Sequence, residues 1–351
     1  MTAKPNATKR VLSGIRATGR LHLGNYLGAV KGMLALQDDP DFETFYMVAD
    51  AHTITTPYEI EELRKNRREV ILDYLAAGLD PEKSVIFQQS EVNEHFELAF
   101  YLSSVTTIAK MQHLPTFKDK VKQYPEHATM ALLNYPILMA GDILIYKSNS
   151  VPVGIDQEPH LEVAREIARR MNQDYGTNFP EPQRFATAGE YVPSLAGEGK
   201  MSKSIEGSFI NLTDDFETIK KRLSSAPTDS GQGTITEASP SSKFKKHYAS
   251  KEDASQNNHV ASLLTFVELF EGADKRAYYE SLYTSTGIRY GDLKQALAEA
   301  IFDQLKPIQE KRRELESNPA YVNKVITEGA AAARKVAQET LKEVRQKMGL
   351  A

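Results

Sequence analysis

The strongest constraint on the fold is an alternation along the first half of the chain, where short β-branched or apolar runs exchange with amphipathic helical periods. Val11 and Leu12 end a first strand, and a glycine-rich loop then leads into a helix from about His22 to Gln37. The run "TFYMVADAHTIT" (44–55) predicts a second strand. Ile60, Leu63, Val70, Ile71, Tyr74 and Leu75 stripe a helix over about 58–77 that closes at Gly78. "SVIFQQS" (84–90) and "SVPVG" (150–154) predict further strands, the latter followed by an amphipathic helix over 158–172. Strand, helix and strand in repetition imply an α/β fold, a doubly wound parallel sheet.

Residues 91–147 predict helices with a loop over "HLPTFKDKVKQYPEHA", whereas "FPEPQRFATAGEYVPS" predicts irregular structure. Beyond residue 204 the strand signal fades, and apart from a Ser, Thr, Gly and Pro-rich loop at 226–243 the remainder predicts a second, all-helical domain. Its last helix begins at Pro319 behind Asn318 and is capped by Gly349, with Val322, Ile326, Ala333, Val336, Leu341, Val344 and Met348 at helical spacing. At 351 residues, two domains are expected.

Cysteine is absent, which removes disulfides, thiolate metal sites and cysteine nucleophiles. No run has the length of a membrane span, and the first residues lack a signal-peptide core, so a cytoplasmic protein with no membrane association is expected. A net charge of -4 excludes a uniformly basic nucleic-acid coat but permits local basic faces.

Two motifs carry chemistry. In "VLSGIRATGRLHLGNYLGAV" (11–30) the glycines fit neither a Walker loop, since Gly24 is followed by Asn25 and Tyr26, nor the dinucleotide fingerprint. A helix starting near His22 would place His22 and Asn25 on one first-turn face amid free amides, a setting suited to a polyanion; a plain glycine turn capped by a histidine fits this stretch equally. The second motif, "GKMSKS" (199–204), sets Lys200 and Lys203 in a loop that by itself is more often solvated surface. Together with a histidine-bearing glycine loop on a parallel sheet, it points to phosphate chemistry.

"HLGN" (22–25) resembles the HIGH signature of class I aminoacyl-tRNA synthetases, and "KMSKS" (200–204) is their unaltered second signature. The stretches "GIRATGRLHLGNYLGA", "NYPILMAGDILIY" (134–146), "VPVGIDQEPHLEVAREIARRMN" (151–172) and "LKPIQEKRRE" (305–314) resemble the bacterial-type tryptophanyl branch, and the likeness spans nearly the whole chain. The resemblance implies a Rossmann-like class I catalytic domain over 1–204 with a helical dimerisation insert at about 91–147. It also implies a helical anticodon-binding domain over 205–295, and C-terminal helices over 296–351 packing back on the catalytic domain.

It further implies activation of L-tryptophan by ATP, with Mg²⁺ on the phosphates and no metal site made by the protein, followed by transfer to tRNA(Trp) by a homodimer. By resemblance, His22, Asn25, Lys200 and Lys203 carry the catalysis. ATP would be held by Arg16, Ala17, Thr18, Gly24, Asn25, Gly154, Ile155, Asp156, Val192, Lys200, Met201, Ser202, Lys203 and Ser204. Asp142, alone in the apolar "NYPILMAGDILIYKS", would accept the indole N–H, with Tyr135, Met139 and Gln157 beside it; a structural carboxylate paired with a buried histidine or arginine is the competing reading.

A tyrosyl enzyme of the same fold is disfavoured because "RVLSG" lacks the tyrosine usual before the first glycine loop. The two signatures are also compatible with a synthetase-like paralogue repurposed for RNA binding or regulation, and with a small-molecule adenylyltransferase of the same superfamily. The intact "KMSKS" and Asp142 argue against lost chemistry, and the long helical half argues against the adenylyltransferase. Basic clusters at Lys220–Arg222, at Lys243, Lys245 and Lys246, and at Lys311–Arg313 offer phosphate contacts for RNA, or simply solvated helix faces. One departure stands out: many relatives carry Gln-Pro where this chain has Arg16-Ala17, which introduces a permanent charge and implies altered ATP or tryptophan binding in a divergent, auxiliary member.

Overall fold

The computed structural model describes residues 9–186, 192–196, 199–203, 205–233 and 258–351. The chain forms two compact units. One comprises the chain up to Arg20 with Ala29–Thr187 and Arg312–Ala351; the other comprises Leu21–Gly28 and Ala188–Lys311.

The first unit is built on five parallel strands, β1 (Lys9–Arg16), β2 (Phe42–Ala49), β3 (Ser84–Gln88), β4 (Ser150–Pro152) and β5 (Gln183–Phe185), in the order β3-β2-β1-β4-β5. β1 pairs with β2 from Lys9↔Phe42 to Arg16↔Ala49. Buried residues occupy β2 from Thr44 onward on both faces, as expected of a central parallel strand. The strand order reverses between β1 and β4, which Ser13 Oγ ties together by donating to the Pro152 carbonyl at 2.8 Å. In such sheets the crevice beyond the carboxyl ends at that reversal is where ligands sit. Arg16 ends β1 and Pro152 ends β4, so the segments 16–18 and 153–157 flank it.

The helices are α1 (Leu23–Asn25), continued by a π-helical stretch Tyr26–Val30 into α2 (Lys31–Asp38), then α3 (Ile60–Ala76), α4 (Glu94–Ser103), α5 (Ile108–His113), α6 (Pro115–Gln123), α7 (Met130–Ile145) and α8 (Glu158–Tyr175). They are followed by α9 (Phe216–Ser225), α10 (Asn258–Glu271), α11 (Ala273–Tyr283), α12 (Tyr290–Glu316) and α13 (Pro319–Lys347). One face of the sheet packs Leu12, Phe45, Met47 and Phe87 against Leu98 and Leu102 of α4, Ile143 of α7, Leu161 of α8, and Ala333 and Ala337 of α13.

α13 starts as the sequence indicates: the Asn318 side chain accepts from Tyr321 N–H, and Gly349 takes φ +74° just past the end. It lies so close to β3 that a Cβ on Gly329 would fall 1.7 Å from the Ile86 carbonyl oxygen, and only glycine fits there.

The structure departs from the sequence expectations in four places. The first strand does not end at Leu12 but runs on through Gly14 to Arg16, because each of these residues finds a partner on β2 up to Ala49. The loop expected over 113–128 is mostly helix α6: Pro115 sits at the first turn, where its fixed φ favours a helix, and half-buried Phe117 packs on the core. Charged residues on the outer face of α6 disguised the period. β5 lies in the stretch expected to be irregular; three residues between prolines carry no periodicity, and only pairing with Ser150–Pro152 makes them a strand. β2 stops at Ala49, and Ala51–Thr55 forms a 3-10 turn, because the Asp50 side chain accepts from Ala51 N–H and caps a turn instead. The expected loop at 226–243 is described only up to residue 233.

Candidate active site

The site residues expected from the sequence divide between the two units. Ser204 lies outside the described residues.

In the second unit the "HLGN" start is clipped to the segment that follows the lysine loop. Leu23 N–H donates to the Ile210 carbonyl and Leu212 N–H to the Leu21 carbonyl, each at 2.9 Å, and His22 bridges Asn211 in antiparallel fashion. His22 has extended backbone and caps the helix, while Asn25 Oδ1 accepts from His22 N–H at 3.2 Å. Gly24 is where the two motifs meet, since an added Cβ would lie 2.8 Å from the His22 ring and 3.4 Å from Met201 Cβ. A side chain there would push the imidazole away.

The lysine loop is anchored from beneath. Met201 is buried and its N–H donates to the Val192 carbonyl at 2.9 Å, while Pro193 bridges Lys200. Buried Ser208 holds Ser202 at both backbone ends: its Oγ accepts from Ser202 N–H at 3.0 Å and donates to the Ser202 carbonyl at 2.9 Å. Burial, reinforced by the Lys203 and Lys200 charges, pushes the His22 pKa down to about 4. Its imidazole is therefore neutral near pH 7, and its buried Nδ1 has no hydrogen-bond partner among the described residues. A neutral ring beside two ammonium groups suits a polyphosphate: the lysines bring charge, and the histidine adds a hydrogen bond without a third full charge.

In the first unit, Arg16 ends β1 and Ala17 and Thr18 follow it, while Gly154 leads into the 3-10 turn Ile155–Gln157 beyond β4. The half-buried Arg16 guanidinium donates from Nη2 to Thr56 Oγ1 at 3.1 Å, and its buried Nε has no hydrogen-bond partner among the described residues. Burial lowers its pKa from the ordinary 12.5, which Tyr135 and Tyr124 partly offset. Burial and the Arg16 charge in turn lower that of Lys120. Two neighbouring cations, Arg16 at the end of β1 and Lys120 of α6, invite an anion.

Tyr135, Met139 and Asp142 stand at i, i+4 and i+7 on one face of α7. Asp142 is fully buried, and its carboxylate accepts from three side chains: His52 Nε2 at 2.7 Å, His95 Nδ1 at 2.6 Å and Gln89 Nε2 at 2.8 Å. Burial opposes its ionisation, yet the hydrogen bonds from His52 and His95 hold the pKa at about 2. Tyr135 meets the His52 ring edge-on at 6.3 Å, so the face is continuous with the histidines.

Sequence reasoning missed His52, His95, Gln89 and Ser208. The signal was faint: His52 and Gln89 each follow a strand of the parallel sheet, where functional residues gather, but nothing local points them at Asp142.

Of the basic clusters, Arg312 is buried and donates to Glu69, Asp73 and Glu316, which removes it from RNA contact. Arg222 pairs with Asp214 at 3.2 Å and stacks over Phe209 at 4.9 Å. Lys243, Lys245 and Lys246 lie outside the described residues.

The family described as tRNA synthetases class I (W and Y) matches residues 4–306. The chain belongs to this family. Among class I synthetases it is similar to the tryptophan–tRNA ligase of Porphyromonas gingivalis, with 39% identity over 97% of this chain and 98% of that one. The tryptophan–tRNA ligase of Caldanaerobacter subterraneus is also 39% identical, over 97% and 98% respectively. Among solved class I synthetases, the Campylobacter jejuni tryptophanyl-tRNA synthetase complexed with ADP and tryptophan superposes with TM-score 0.79 and 32% identity, covering 97% of this chain and all of that one. The Mycoplasma pneumoniae tryptophanyl-tRNA synthetase gives TM-score 0.81 at 32% identity, covering 98% of each.

Proposed function

We propose that the chain is a tryptophan–tRNA ligase. The observation that carries this is the cluster in which the neutral His22 at a helix start meets the Lys200–Lys203 loop, in a chain 39% identical to tryptophan–tRNA ligases along nearly its whole length. The tryptophan carboxylate attacks the α-phosphorus of ATP, the bond to the bridging oxygen breaks, and pyrophosphate leaves with that electron pair. The nucleophile is already ionised, so no general base is needed; the requirement is alignment and stabilisation of charge on the phosphates. The backbone amides of His22, Leu23, Asn25 and Tyr26 are spent on protein acceptors, so His22, Asn25, Lys200 and Lys203 supply it through their side chains, and Mg²⁺ bound with the nucleotide would neutralise phosphate oxygens. A ribose hydroxyl of the tRNA 3′ end then attacks the activated carbonyl and AMP departs.

Gly24, Val192, Met201, Ser202 and Ser204 complete the nucleotide contacts in the second unit. Arg16, Ala17, Thr18, Gly154, Ile155 and Asp156 are the nucleotide contacts that the family resemblance assigns within the first unit, with Asp156 suited to a ribose hydroxyl. Asp142 accepts the indole N–H: two carboxylate oxygens offer about four acceptor positions, of which three are filled. Tyr135, Met139 and Gln157 surround the amino acid.

A homodimer is supported by an exposed apolar set in the expected insert, Phe96, Phe100, Ile108 and Met130, which water alone would otherwise cover. No helix among the described residues is long and apolar enough to cross a membrane, in keeping with a cytoplasmic setting.

The chain contains no tryptophan, so indole fluorescence excited at the red edge comes from the ligand alone, and its change on binding is read against free tryptophan. Saturable fluorescence change with tryptophan, tryptophan-dependent ATP–pyrophosphate exchange and charging of transcribed tRNA(Trp) are expected. Exchange with tyrosine instead, or exchange without charging, would overturn the proposal.

A further inference from the structure

His160, in the first turn of α8, is buried, and both ring nitrogens are engaged. Nδ1 faces Gln157 Oε1 at 3.1 Å, while the Gln157 amide nitrogen donates to Asp156 Oδ2 at 2.7 Å. A carboxamide that gives its N–H to a carboxylate turns its oxygen the other way, and an oxygen only accepts. The proton of His160 therefore sits on Nδ1. Burial favours the neutral ring over the opposing pull of Asp156, which leaves Nε2 as an acceptor.

Two hydroxyls converge on that acceptor, Tyr135 OH at 2.7 Å and Thr116 Oγ1 at 2.9 Å, and they lie 2.7 Å from each other. Tyr135 OH donates to Thr116 Oγ1, which leaves the Thr116 proton for Nε2, so with Nε2 as the acceptor the chain of bonds runs from Tyr135 through Thr116 to His160. The network joins α6 through Thr116, α7 through Tyr135, and the turn after β4 through Gln157 and Asp156.

We propose that His160 is a positioning residue of the amino-acid site, holding the Gln157 carboxamide and the Tyr135 phenol in one orientation through its Nδ1–H tautomer. The inference rests on the tryptophan–tRNA ligase reading. The sequence reveals none of it, because a histidine three residues after Gln157 on an amphipathic helix looks like an ordinary core contact.

The test compares isosteres in ATP–pyrophosphate exchange. Asparagine can place an N–H where Nδ1 stands, whereas glutamine reaches the Nε2 position and leaves Gln157 without a donor. His160→Gln and His160→Ala should raise KM for tryptophan about tenfold, the effect of one lost buried hydrogen bond, with KM for ATP changed less than about twofold; His160→Asn should recover most of the loss. Equal effects on both substrates, no effect, or an asparagine variant no better than alanine would overturn the proposal.

A second measurement does not depend on the variants folding. Nitrogen-15 shifts of the wild-type His160 ring should show Nδ1 protonated and Nε2 bare near pH 7.5, and the reverse tautomer overturns the proposal. Wild-type protein without tryptophan-dependent exchange would instead defeat the ligase reading.

Discussion

Replacing Asp142 with alanine is expected to destabilise the first unit by an amount that can be worked from its surroundings. The carboxylate is wholly buried and accepts from His52, His95 and Gln89 at 2.6 to 2.8 Å. Truncation strands three donors at once; each unsatisfied buried group costs about 1 to 3 kcal/mol, and breaking a buried charged partnership about 3 to 5 kcal/mol in all. For a unit of this size a loss of 3 to 5 kcal/mol lowers Tm by roughly 6 to 20 °C. His95 keeps its 2.7 Å contact to Tyr146 OH, so the lower part of that range is the firmer expectation.

Circular dichroism melting measures this, and Asp142→Asn, which keeps the shape and one carbonyl acceptor, should fall between wild type and alanine. The pH dependence follows with a definite sign. The folded pKa of about 2 lies below the ordinary 3.8, so the contribution is fully present above pH 3.8 and is lost as pH falls through 2. An alanine variant melting within about 3 °C of wild type, less than roughly 1 kcal/mol, would refute the argument that this network holds α7, α4 and the ends of β2 and β3 together. If the alanine variant, assayed well below its melting temperature, bound tryptophan with unchanged affinity, the acceptor role toward the indole would be refuted independently.

Arg16→Gln removes a half-buried charge beside Lys120 and is expected to shift KM for ATP or tryptophan; if both stay within about twofold, the charge has no binding role. His22, with its pKa lowered from 6.5 to about 4, makes folding less favourable as pH falls below 6.5, and kcat/KM should show no inflection near 6.5 that disappears in His22→Asn. Arg312→Ala leaves Asp73 and Glu69 without their buried cation and should cost about 3 to 5 kcal/mol, read as a lower urea midpoint; an unchanged midpoint would show that the network is neutral.

The sequence by itself determined the fold class, the helix boundaries at Gly78 and Asn318, and the two motifs that carry phosphate chemistry. These rest on local physics: apolar periodicity, caps, and glycines where a backbone must approach closely. Gly24 is such a case, required because His22 and Met201 close over it. Only the tertiary structure decided the strand status of Gln183–Phe185, which exists because β4 offers it partners, and the helicity of Pro115–Gln123, whose inner face needs the core to pack on. It also decided the state of the ionisable groups. Asp142 stands out in the sequence as an acid in an apolar helix, but its partners His52, Gln89 and His95 are 90, 53 and 47 residues away. A pKa depends on what surrounds a group in space, and separations of that length leave no trace in a local pattern. The same holds for His160, whose tautomer is set by Gln157 nearby in sequence and by Thr116 and Tyr135 that only folding brings to it.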